Sequence, residues 1–506
     1  MPDNLISLVH RASSAAFLPV RNVAGPFHRR RPALTEEQEE HEKNRQPLGG
    51  QWAGDDRWYA GGFPPRAHNA LHPLLHGENY FRDLCDSLRS AQQRVTIAGW
   101  CLTPLMSLHR DRHAAGSLLA EVLNEVAQQA EVRILLWSGA LALFEPNVHL
   151  AEEVRRVLKE RAPRVRCELD RRAHFSHDHH QKAVTIDGRL AYVGGMDLST
   201  FQGDRWDTRD HVLRFGPNWH DAQVRLEGEV VRDVEENFCQ RWNAVTGESI
   251  QPLEGPPLDP AWNTPAQIVR TVPAAFYPFA PQGEYGIRHS ILAAIRCAER
   301  FVYLENQYIW SPEVVEALCD AMNRRRSSAF RVVLVLPAKA YDGSYDNDRH
   351  VQLLRDSDHG RGMFEAYSLY ASGPAIGRTG YAYLPIYVHA KVGIIDDSWL
   401  SIGSANLNRR GLGTDTEMNV QAVDGAVAKD LRAKLWSEHL GMPEQEVAAA
   451  DPIELIDGQW KSTAKRLAES MHDLSVPPGG QTLRYEVRKR PTSRVLDMVQ
   501  DLTLEH

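Results

Sequence analysis

The sequence lacks any uninterrupted run of about eighteen apolar residues, the length that a membrane-spanning helix needs. Its start, MPDNLISLVHRASSAAFLPV, also lacks the charged beginning, sustained apolar stretch and cleavage site of a secretory signal. We therefore expect no spanning helix and no Sec-type leader. The same features predict a cytoplasmic protein or one bound peripherally to a membrane, and they are compatible with export by another route as an effector.

Cysteine is scarce, and no two cysteines are close enough in the sequence to form a C-x-x-C pair. Their apolar, helix-like surroundings predict free thiols that are buried in a reducing compartment. The six residues are Cys85, Cys101, Cys167, Cys239, Cys297 and Cys319.

A surplus of positive charge is also absent. The chain has 58 Lys and Arg against 66 Asp and Glu, which gives a formal net charge of -8. Extended nucleic-acid surfaces are usually basic, so this balance disfavours a nucleic-acid partner while allowing a local basic pocket. With 506 residues and 42% apolar content, the chain is long enough for a large core and for two or three domains or one duplicated architecture.

One motif does occur twice. HHQKAVTIDGRLAYVGGMD spans 179–197 and VHAKVGIIDDSWLSIGSAN spans 388–406. The matching positions are His180, Lys182, Asp187, Gly194 and Asp197 in the first copy, and His389, Lys391, Asp396, Gly403 and Asn406 in the second. Two copies with identical offsets make coincidence improbable.

The repeated unit is longer than the motif, because helical and strand-like patterns alternate in the same order before each copy. This order predicts an N-terminal arm over 1–65, a first lobe over 66–262 and a second lobe over 263–445. A tail with a helix follows over 446–506. We expect the two lobes to meet about a pseudo-twofold axis and to bring the two imidazoles together.

Strand geometry separates the motif residues into two groups. His389 and Lys391 have the same parity and point to one face, whereas Asp396 has the opposite parity and lies up to roughly 23 Å further along an extended strand. The same holds for Asp187 in the first copy. We therefore expect both aspartates to serve in a turn or an ion pair rather than in catalysis.

A hairpin that turns after each aspartate returns small and polar residues to the histidines. The second copy places residue 389 opposite about residue 405, with Ser404 and Asn406 beside His389. The first copy places Gly195 and Asp197 beside His180. Small residues there allow a ligand to approach the backbone closely.

Two histidines and two lysines suit displacement at a phosphodiester. One neutral imidazole attacks phosphorus, the other as imidazolium protonates the leaving alkoxide, and the lysines offset charge on the non-bridging oxygens. The scheme requires no metal and no other cofactor. The histidine-rich HFSHDHHQK is not interpreted as a zinc site, because the second copy has no matching cluster, and His174 and His177 are expected to be loop residues or to lie behind the catalytic residues. Its further histidines are His174, His177 and His179.

At these residues the sequence resembles the phospholipase D superfamily, whose motif is HxKxxxxD followed by a Gly-Ser or Gly-Gly stretch. Further similar blocks are DRWDTRDH, WHDAQVRLEGEVVRDVEENFCQRW, YLENQYIW, IGSANLNRRGL and LWSEHLG. Together they are closest to true phospholipases D of the eukaryotic type. The first 65 residues cannot hold a C2 or PX/PH module, which favours a minimal catalytic core of bacterial type.

The resemblance implies an α/β fold of two lobes, each a mixed β-sheet flanked by helices, with the active site at their interface. It implies that a downstream carboxylate orients each histidine. Glu417, 28 residues after His389, matches that place in lobe two, and Asp207 is the choice in lobe one with Asp210 in reserve. It also implies that His180 is the nucleophile and His389 the acid.

Several residues near the motif are candidates for the substrate pocket. The family block suggests Asn306 and Gln307 of ENQYIW as a pocket wall, although both could satisfy backbone groups at a strand end. Trp100 and Trp206 are core aromatics by default, and their strand-end positions also allow a quaternary ammonium to rest on a ring. The basic cluster HRRR at 28–31 is a solvated arm or a contact to anionic lipid.

The sequence thus predicts a phospholipase D that converts phosphatidylcholine or a related phospholipid to phosphatidic acid and a free head group. A covalent phosphohistidine would also allow transphosphatidylation to a primary alcohol in place of water. The expected partner is a membrane surface, and the expected state is a monomer. The alternatives are a cardiolipin synthase-like phosphatidyltransferase, a superfamily nuclease, a delivered effector with the same chemistry and a degenerate binding protein.

Overall fold

The computed structural model describes residues 34–110, 116–139, 146–172, 177–325, 329–340, 344–375 and 379–488. The basic cluster at 28–31 and His174 lie outside these ranges. In the described part of the chain, no helix combines the length and the apolar character needed to cross a membrane.

The first half of the chain contains eight strands, five α-helices and a short 3-10 helix (Gly50–Trp52) within the described residues. The strands are β1 (Asn69–Leu75), β2 (Arg94–Gly99), β3 (Glu131–Trp137), β4 (Arg166–Asp170), β5 (Ala183–Ile186), β6 (Leu190–Gly194), β7 (Asn218–His220) and β8 (Ala222–Gly228). The helices are α1 (Glu36–Lys43), α2 (His76–Arg89), α3 (Leu119–Val126), α4 (Val148–Arg161) and α5 (Val230–Thr246).

The second half begins with β9. The strands are β9 (Ala266–Val272), β10 (Glu284–Tyr285), β11 (Phe301–Glu305), β12 (Arg331–Val335), β13 (Phe364–Pro374), β14 (Tyr381–Val388), β15 (Val392–Ile395), β16 (Trp399–Gly403), β17 (Glu417–Ala422) and β18 (Thr482–Arg484). The helices are α6 (Gly286–Cys297), α7 (Pro312–Arg324), α8 (Ser344–Asp358), α9 (Gly425–Leu440), α10 (Glu444–Ala449), α11 (Pro452–Glu454) and α12 (Lys461–His472).

The two sheets repeat one strand order. The first runs β1-β8-β6-β5-β2-β3-β4, and the second contains β9-β17-β16-β15-β11-β12-β13 in the corresponding places. In each sheet, the strand after the His-Lys pair (β5 or β15) forms an antiparallel hairpin with the next strand. Its other edge pairs antiparallel with a strand that precedes the motif (β2 or β11), and parallel strands continue the sheet from there. The mixed α/β class predicted from the sequence is confirmed.

The second sheet also recruits strands from outside its own repeat. Strand β7, which precedes β8 of the first sheet, pairs in parallel with β14, and β18 of the tail pairs with β13. On the other side, Gln267 of β9 donates through Nε2 to the carbonyls of Tyr59 and Phe63 from the arm region. The predicted domain limits remain predictions, and the arm and tail segments named here pack against the second sheet.

The sheets face each other across one buried cluster. Val193 and Val224 of the first sheet belong to the same cluster as Ile402 and Val420 of the second. Their neighbours along each strand point the other way, so Tyr192 instead packs in the cluster beneath α2 and α3. Alternation along buried strands therefore produces helix, sheet, sheet and helix layers, and the two His-Lys motifs lie where the two inner sheet faces meet.

The cysteine prediction holds in part. All six cysteines are free, and Cys85, Cys101 and Cys239 are buried. Cys297 is exposed because it ends α6 on the solvent side, so the expectation of burial was wrong there.

Candidate active site at the lobe interface

The motif hairpins have the register that the sequence predicts. Ala183 pairs with Val193 and Val392 pairs with Ile402, so the continued register sets residue 180 opposite 196 and residue 389 opposite 405. Gly195 and Asp197, which flank residue 196, therefore lie on the part of the chain that faces His180. Ser404 and Asn406 have the same relation to His389.

The motif aspartates lie at the other end of these hairpins. Asp187 accepts hydrogen bonds from the backbone amides of residues 92–94 at 2.8 to 2.9 Å. Asp396 accepts from the amides of residues 299–301 at 2.6 to 2.8 Å. Each carboxylate thus fixes a hairpin turn to the start of the neighbouring strand, a structural role that agrees with the parity argument.

His180 is held by a carboxylate from the other lobe. Its Nδ1 lies 2.8 Å from Glu417 Oε1. Ser404 donates its hydroxyl to Glu417 Oε2 at 2.5 Å, so the carboxylate is itself fixed. The bond to Nδ1 leaves the Nε2 atom of His180 for a substrate.

His389 has the mirror arrangement. Its Nδ1 lies 2.7 Å from Asp221 Oδ2, and the amide of Ala222 donates to Asp221 Oδ1 at 2.8 Å. A Cβ on Gly195 would lie 2.2 Å from Asp221 Oδ1, which is inside contact distance. The second glycine of the Gly-Gly pair is therefore required for the carboxylate that orients His389.

Backbone hydrogen bonds also connect each histidine to the other lobe. The His180 amide donates to the carbonyl of Thr416 at 2.9 Å, and the His389 amide donates to the carbonyl of His220 at 2.8 Å. Thr416 and His220 each directly precede the carboxylate residue. Each lobe consequently supplies one histidine and the group that orients the histidine of the other lobe.

Asp207 was predicted to orient a histidine, and this prediction was wrong. Glu417 does orient a histidine, but that histidine is His180 and not the predicted His389. Asp207 instead accepts from the Trp219 amide at 2.7 Å and from Asn218 Nδ2 at 3.1 Å. Asp210, the reserve, is exposed. The number of residues after the histidine does not identify the carboxylate in lobe one, because the segment between β6 and β8 is longer than the segment between β16 and β17.

A local signal identifies Asp221 more reliably than the offset does. Asp221 precedes Gln223 by two residues, and Gln223 pairs with Gly194. Glu417 precedes Asn419 by two residues, and Asn419 pairs with Gly403. A Cβ on either glycine would lie within 2.3 Å of that amide oxygen, so carboxylate and amide occupy one face of the strand beside the glycine.

The two lysines lie beside the histidines in different electrostatic surroundings. Lys182 Nζ is 3.1 Å from Asp197 Oδ2 and donates to the carbonyl of His180 at 2.9 Å. Lys391 Nζ donates to the carbonyl of His389 at 2.5 Å and to Gln307 Oε1 at 3.4 Å. Asp197, which stands where the second copy has Asn406, thus makes the site asymmetric.

Burial shapes the protonation of the site. It lowers the pKa values of His180 and His389 well below the ordinary value, and the nearby lysines act in the same direction. Burial raises the pKa of Glu417 well above its usual range, with Lys182 opposing the shift. Burial also lowers the pKa of Lys391 to about 7, while Asp221 acts in the opposite direction.

The pocket candidates separate into two that contact the motif residues and two that do not. Gln307 reaches Lys391, and the Nζ of Lys182 lies 5.6 Å from the centroid of the Trp100 ring. Asn306 uses Oδ1 to accept the amides of Tyr308 and Leu407, so it fixes the loop after β16.

Trp206 lies against Phe81 on the helix side of the first sheet, and the guanidiniums of Arg82 and Arg110 approach its ring. The proposed ammonium site over Trp206 is therefore not supported, because cations of the protein already occupy the space beside the ring. Over Trp100, Lys182 would compete with an incoming ammonium.

Sequence reasoning missed three residues at this site. Asp221 orients His389, as described above. Trp219 packs its ring edge-on to His389 with 5.0 Å between centroids, and the Arg205 guanidinium lies 4.8 Å from the Trp219 ring. Trp219 therefore packs against the His389 ring, whose Nδ1 is held by Asp221, and Arg205 packs against Trp219.

The chain is similar to several known proteins. Residues 291–438 match the family model described as cardiolipin synthase, PLD-like domain. Phospholipase D alpha 4 of Arabidopsis thaliana is 26% identical across 78% of this chain and 67% of its own length. Phospholipase D A of Dictyostelium discoideum is 25% identical across 76% of this chain and 36% of its own length.

These similarities support membership of the phospholipase D superfamily. The enzyme class predicted from the sequence, a phosphodiesterase, is confirmed at this coarse level. Among solved structures, a phospholipase D family member, Nuc from Salmonella typhimurium, covers 33% of this chain at 18% identity and a TM-score of 0.24. Phosphatidylserine synthase of Haemophilus influenzae Rd KW20 covers 87% of this chain at 12% identity and a TM-score of 0.49.

The crossed carboxylates generate a prediction. Asp221→Asn should lower kcat by roughly 10²-fold with little change in KM, because it removes the charge that orients and stabilises His389. Glu417→Gln should have a similar effect through His180. Steady-state kinetics on a phospholipid substrate measure both.

Asp210→Asn is the matched control, since it makes the same chemical change at an exposed position of the same loop region. It should retain the activity of the unmodified chain. Full activity in Asp221→Asn would contradict the orienting role assigned to this carboxylate.

Proposed function

We propose that this chain is a phospholipase D that hydrolyses the distal phosphodiester of phospholipids to phosphatidic acid and a free head group. The observation that carries the proposal is the crossed pairing of His180 with Glu417 and of His389 with Asp221. Since both carboxylates bind Nδ1, both imidazoles offer Nε2 to the same interface, where two lysines supply positive charge.

In the proposed first step, His180 Nε2 attacks phosphorus and forms a P–N bond. The P–O bond to the head group breaks, and His389 donates its Nε2 proton to the departing alkoxide. Burial favours neutral imidazoles before substrate binds, which suits attack by His180. The negative charge of the bound phosphodiester then favours protonation of His389 beside Asp221.

In the second step, His389 accepts a proton from water as the oxygen attacks phosphorus, and the P–N bond breaks. An alcohol in place of water gives a phosphatidyl alcohol, because the covalent intermediate accepts any hydroxyl that reaches it. Lys182 and Lys391 offset the charge on the non-bridging oxygens in both steps.

The membrane partner is supported by two exposed apolar side chains on the loop before β7. Val212 and Phe215 are 67% and 107% exposed. Apolar side chains of this kind contribute binding at a bilayer surface when they enter the interface. We propose that the enzyme meets its substrate at such a surface.

The function is tested by the products formed from a lipid substrate in the presence of ethanol. Vesicles of phosphatidylcholine should give phosphatidic acid and phosphatidylethanol, both identified by mass spectrometry. Parallel reactions with phosphatidylglycerol and with plasmid DNA test the alternatives. A phosphatidyltransferase, which the matched family description also suggests, would instead give cardiolipin from phosphatidylglycerol.

Nicking of plasmid DNA without attack on either lipid would overturn the proposal. Product formation from phosphatidylcholine that does not respond to ethanol would contradict the covalent intermediate, because ethanol and water would no longer compete for one phosphatidyl group.

The two histidines should differ in how their loss can be repaired. His180→Asn and His389→Asn should each lower turnover of phosphatidylcholine by more than about 10³-fold. A phosphatidyl ester of p-nitrophenol needs no protonation of its leaving group. His389→Asn should therefore regain release of p-nitrophenol and accumulate the covalent intermediate, whereas His180→Asn should do neither.

The assay is a burst of p-nitrophenol with isolation of the phosphorylated chain by mass spectrometry. The opposite pattern, with repair of His180→Asn, would exchange the assigned roles. Substantial turnover of phosphatidylcholine in either variant would contradict the paired-histidine mechanism.

The shifted pKa values set the pH dependence of kcat/KM, which reports the free enzyme. Attack requires neutral His180, whose pKa lies well below 6.5, so the acid limb should fall below pH 6.5. Loss of the His389 proton, whose pKa is also lowered, begins the alkaline limb, and loss of the Lys391 charge at a pKa of about 7 should make kcat/KM decline more steeply above about pH 7.

Lys391→Arg tests the alkaline limb, because a guanidinium keeps its charge at every pH of the assay. The variant should lose the steeper decline above about pH 7 even where its maximal rate is lower. Lys465→Arg, at a position with 79% side-chain exposure, is the control and should leave the profile unchanged. A steeper decline that persists in Lys391→Arg would show that another group produces it.

A further inference from the structure

A second polar cluster lies in the protein interior directly behind His389. It consists of His76 at the start of α2, His211 in the loop before β7, His220 at the end of β7 and Glu438 near the end of α9. All four are buried, with 0 to 4% of each residue exposed. The proposed phosphodiester chemistry uses none of these side chains.

Three imidazole nitrogens converge on one carboxylate. His76 Nε2 is 2.7 Å from Glu438 Oε2, while His211 Nε2 and His220 Nδ1 are 3.2 and 3.4 Å from Oε1. The four donor atoms lie within 4.8 Å of one another. In a tetrahedral zinc site, bonds of about 2.0–2.1 Å separate neighbouring donors by about 3.3 Å, which is close to the distances of His211 and His220 from Glu438 Oε1.

The outer nitrogens of two of the imidazoles meet carboxylates. His220 Nε2 is 2.7 Å from Glu305 Oε2, and His211 Nδ1 is 3.2 Å from Asp207 Oδ2. Glu305 is fixed in turn by His439, whose Nε2 lies 2.7 Å from Oε1. A carboxylate on the far nitrogen is the usual support of a histidine that binds a metal, because it sets the tautomer and the ring orientation.

Hydrogen-bond accounting also favours a cation. His211 and His220 each have a carboxylate oxygen within 3.4 Å of both ring nitrogens, and an arrangement without a metal that protonates all four nitrogens makes both rings imidazoliums. Two adjacent imidazoliums would then be buried, with 6.2 Å between ring centroids. One divalent ion in place of two of these protons keeps the same net charge and leaves each ring neutral with a single N–H for its outer carboxylate.

Two of the cluster residues hold unusual backbone conformations. His76 has a φ of 64° and His211 a φ of 43°, both in the left-handed region that residues with a side chain rarely adopt. Such a backbone conformation is strained and persists only where the surroundings impose it. The strained backbone at His76 and His211 is consistent with a requirement that both rings point toward the same position.

We propose that His76, His211, His220 and Glu438 bind one transition-metal ion, with zinc as the ion that a His₃Glu set of this geometry suits. Four protein donors in a buried place make a closed, structural site. This inference departs from the expectation that the protein has no metal site, and it leaves the proposed phosphodiester mechanism without a metal.

The ion would fix the segment that serves His389. The carbonyl of His220 accepts the amides of His389 and Ala390 at 2.8 and 3.1 Å. The next residue, Asp221, binds the His389 ring. A metal bonded to the side chain of His220 would thus hold the strand end from which the orienting carboxylate projects.

The test measures metal content and metal binding, so its result does not depend on the proposed function. The full chain is dialysed against a chelator until elemental analysis finds no metal, and is then titrated with zinc. We expect binding of about one zinc per chain and a rise in Tm of several degrees, because zinc binds the folded state. Cobalt(II) should give the intense visible bands of a tetrahedral site.

Glu438→Gln and His76→Gln should each lower the zinc content from about one to below about 0.1 per chain. His350→Gln is the matched control, since His350 is a buried histidine elsewhere in the fold that bonds the carbonyl of Ile309. It should bind zinc like the unmodified chain.

The proposal is overturned by an unmodified chain that binds no zinc, gains no Tm and shows no cobalt bands, which would make the cluster a hydrogen-bonded network alone. It is equally overturned when Glu438→Gln and His76→Gln bind zinc at full content, because the ion would then lie elsewhere. Where a variant does not fold, the cobalt spectrum of the unmodified chain decides.

Discussion

The exchange of carboxylates between the two halves of the molecule is the interaction on which the proposed active site depends. Glu417 of the second sheet binds His180 of the first half, and Asp221 of the first half binds His389 of the second. Because neither half contains the partner of its own histidine, a single lobe cannot assemble a correctly oriented imidazole. The buried cluster between the sheets therefore has a chemical as well as a packing role, since it fixes the relative position of the two halves.

Burial determines the electrostatic properties of this interface and makes charged groups there unfavourable. Desolvation opposes charge on both histidines, on Lys391 and on both orienting carboxylates. In such surroundings, a bound phosphodiester supplies the negative charge that the cationic forms require. The site is thus prepared for an anion before the anion arrives, and fixed dipoles need little reorganisation during the reaction.

The two halves of the site are related but not equivalent. Lys182 is paired with Asp197, whereas Lys391 meets the amide of Gln307 and is influenced by Asp221. The side of His389 is further supported by Trp219 and by the buried histidine cluster around Glu438. This asymmetry is consistent with different roles for the two histidines, because the acid must change its charge during the reaction and the nucleophile begins neutral.

The sequence by itself determined the local parts of this protein. Offsets and period-two alternation identified both His-Lys pairs, the register of both hairpins and the structural position of Asp187 and Asp396, because these features depend only on neighbours along the chain. The tertiary structure alone decided which carboxylate meets which histidine, why Asp207 faces His211 instead, and how four side chains from distant segments meet at Glu438. Those contacts join residues that are up to 362 positions apart, and no local periodicity encodes the way two packed sheets bring such residues together.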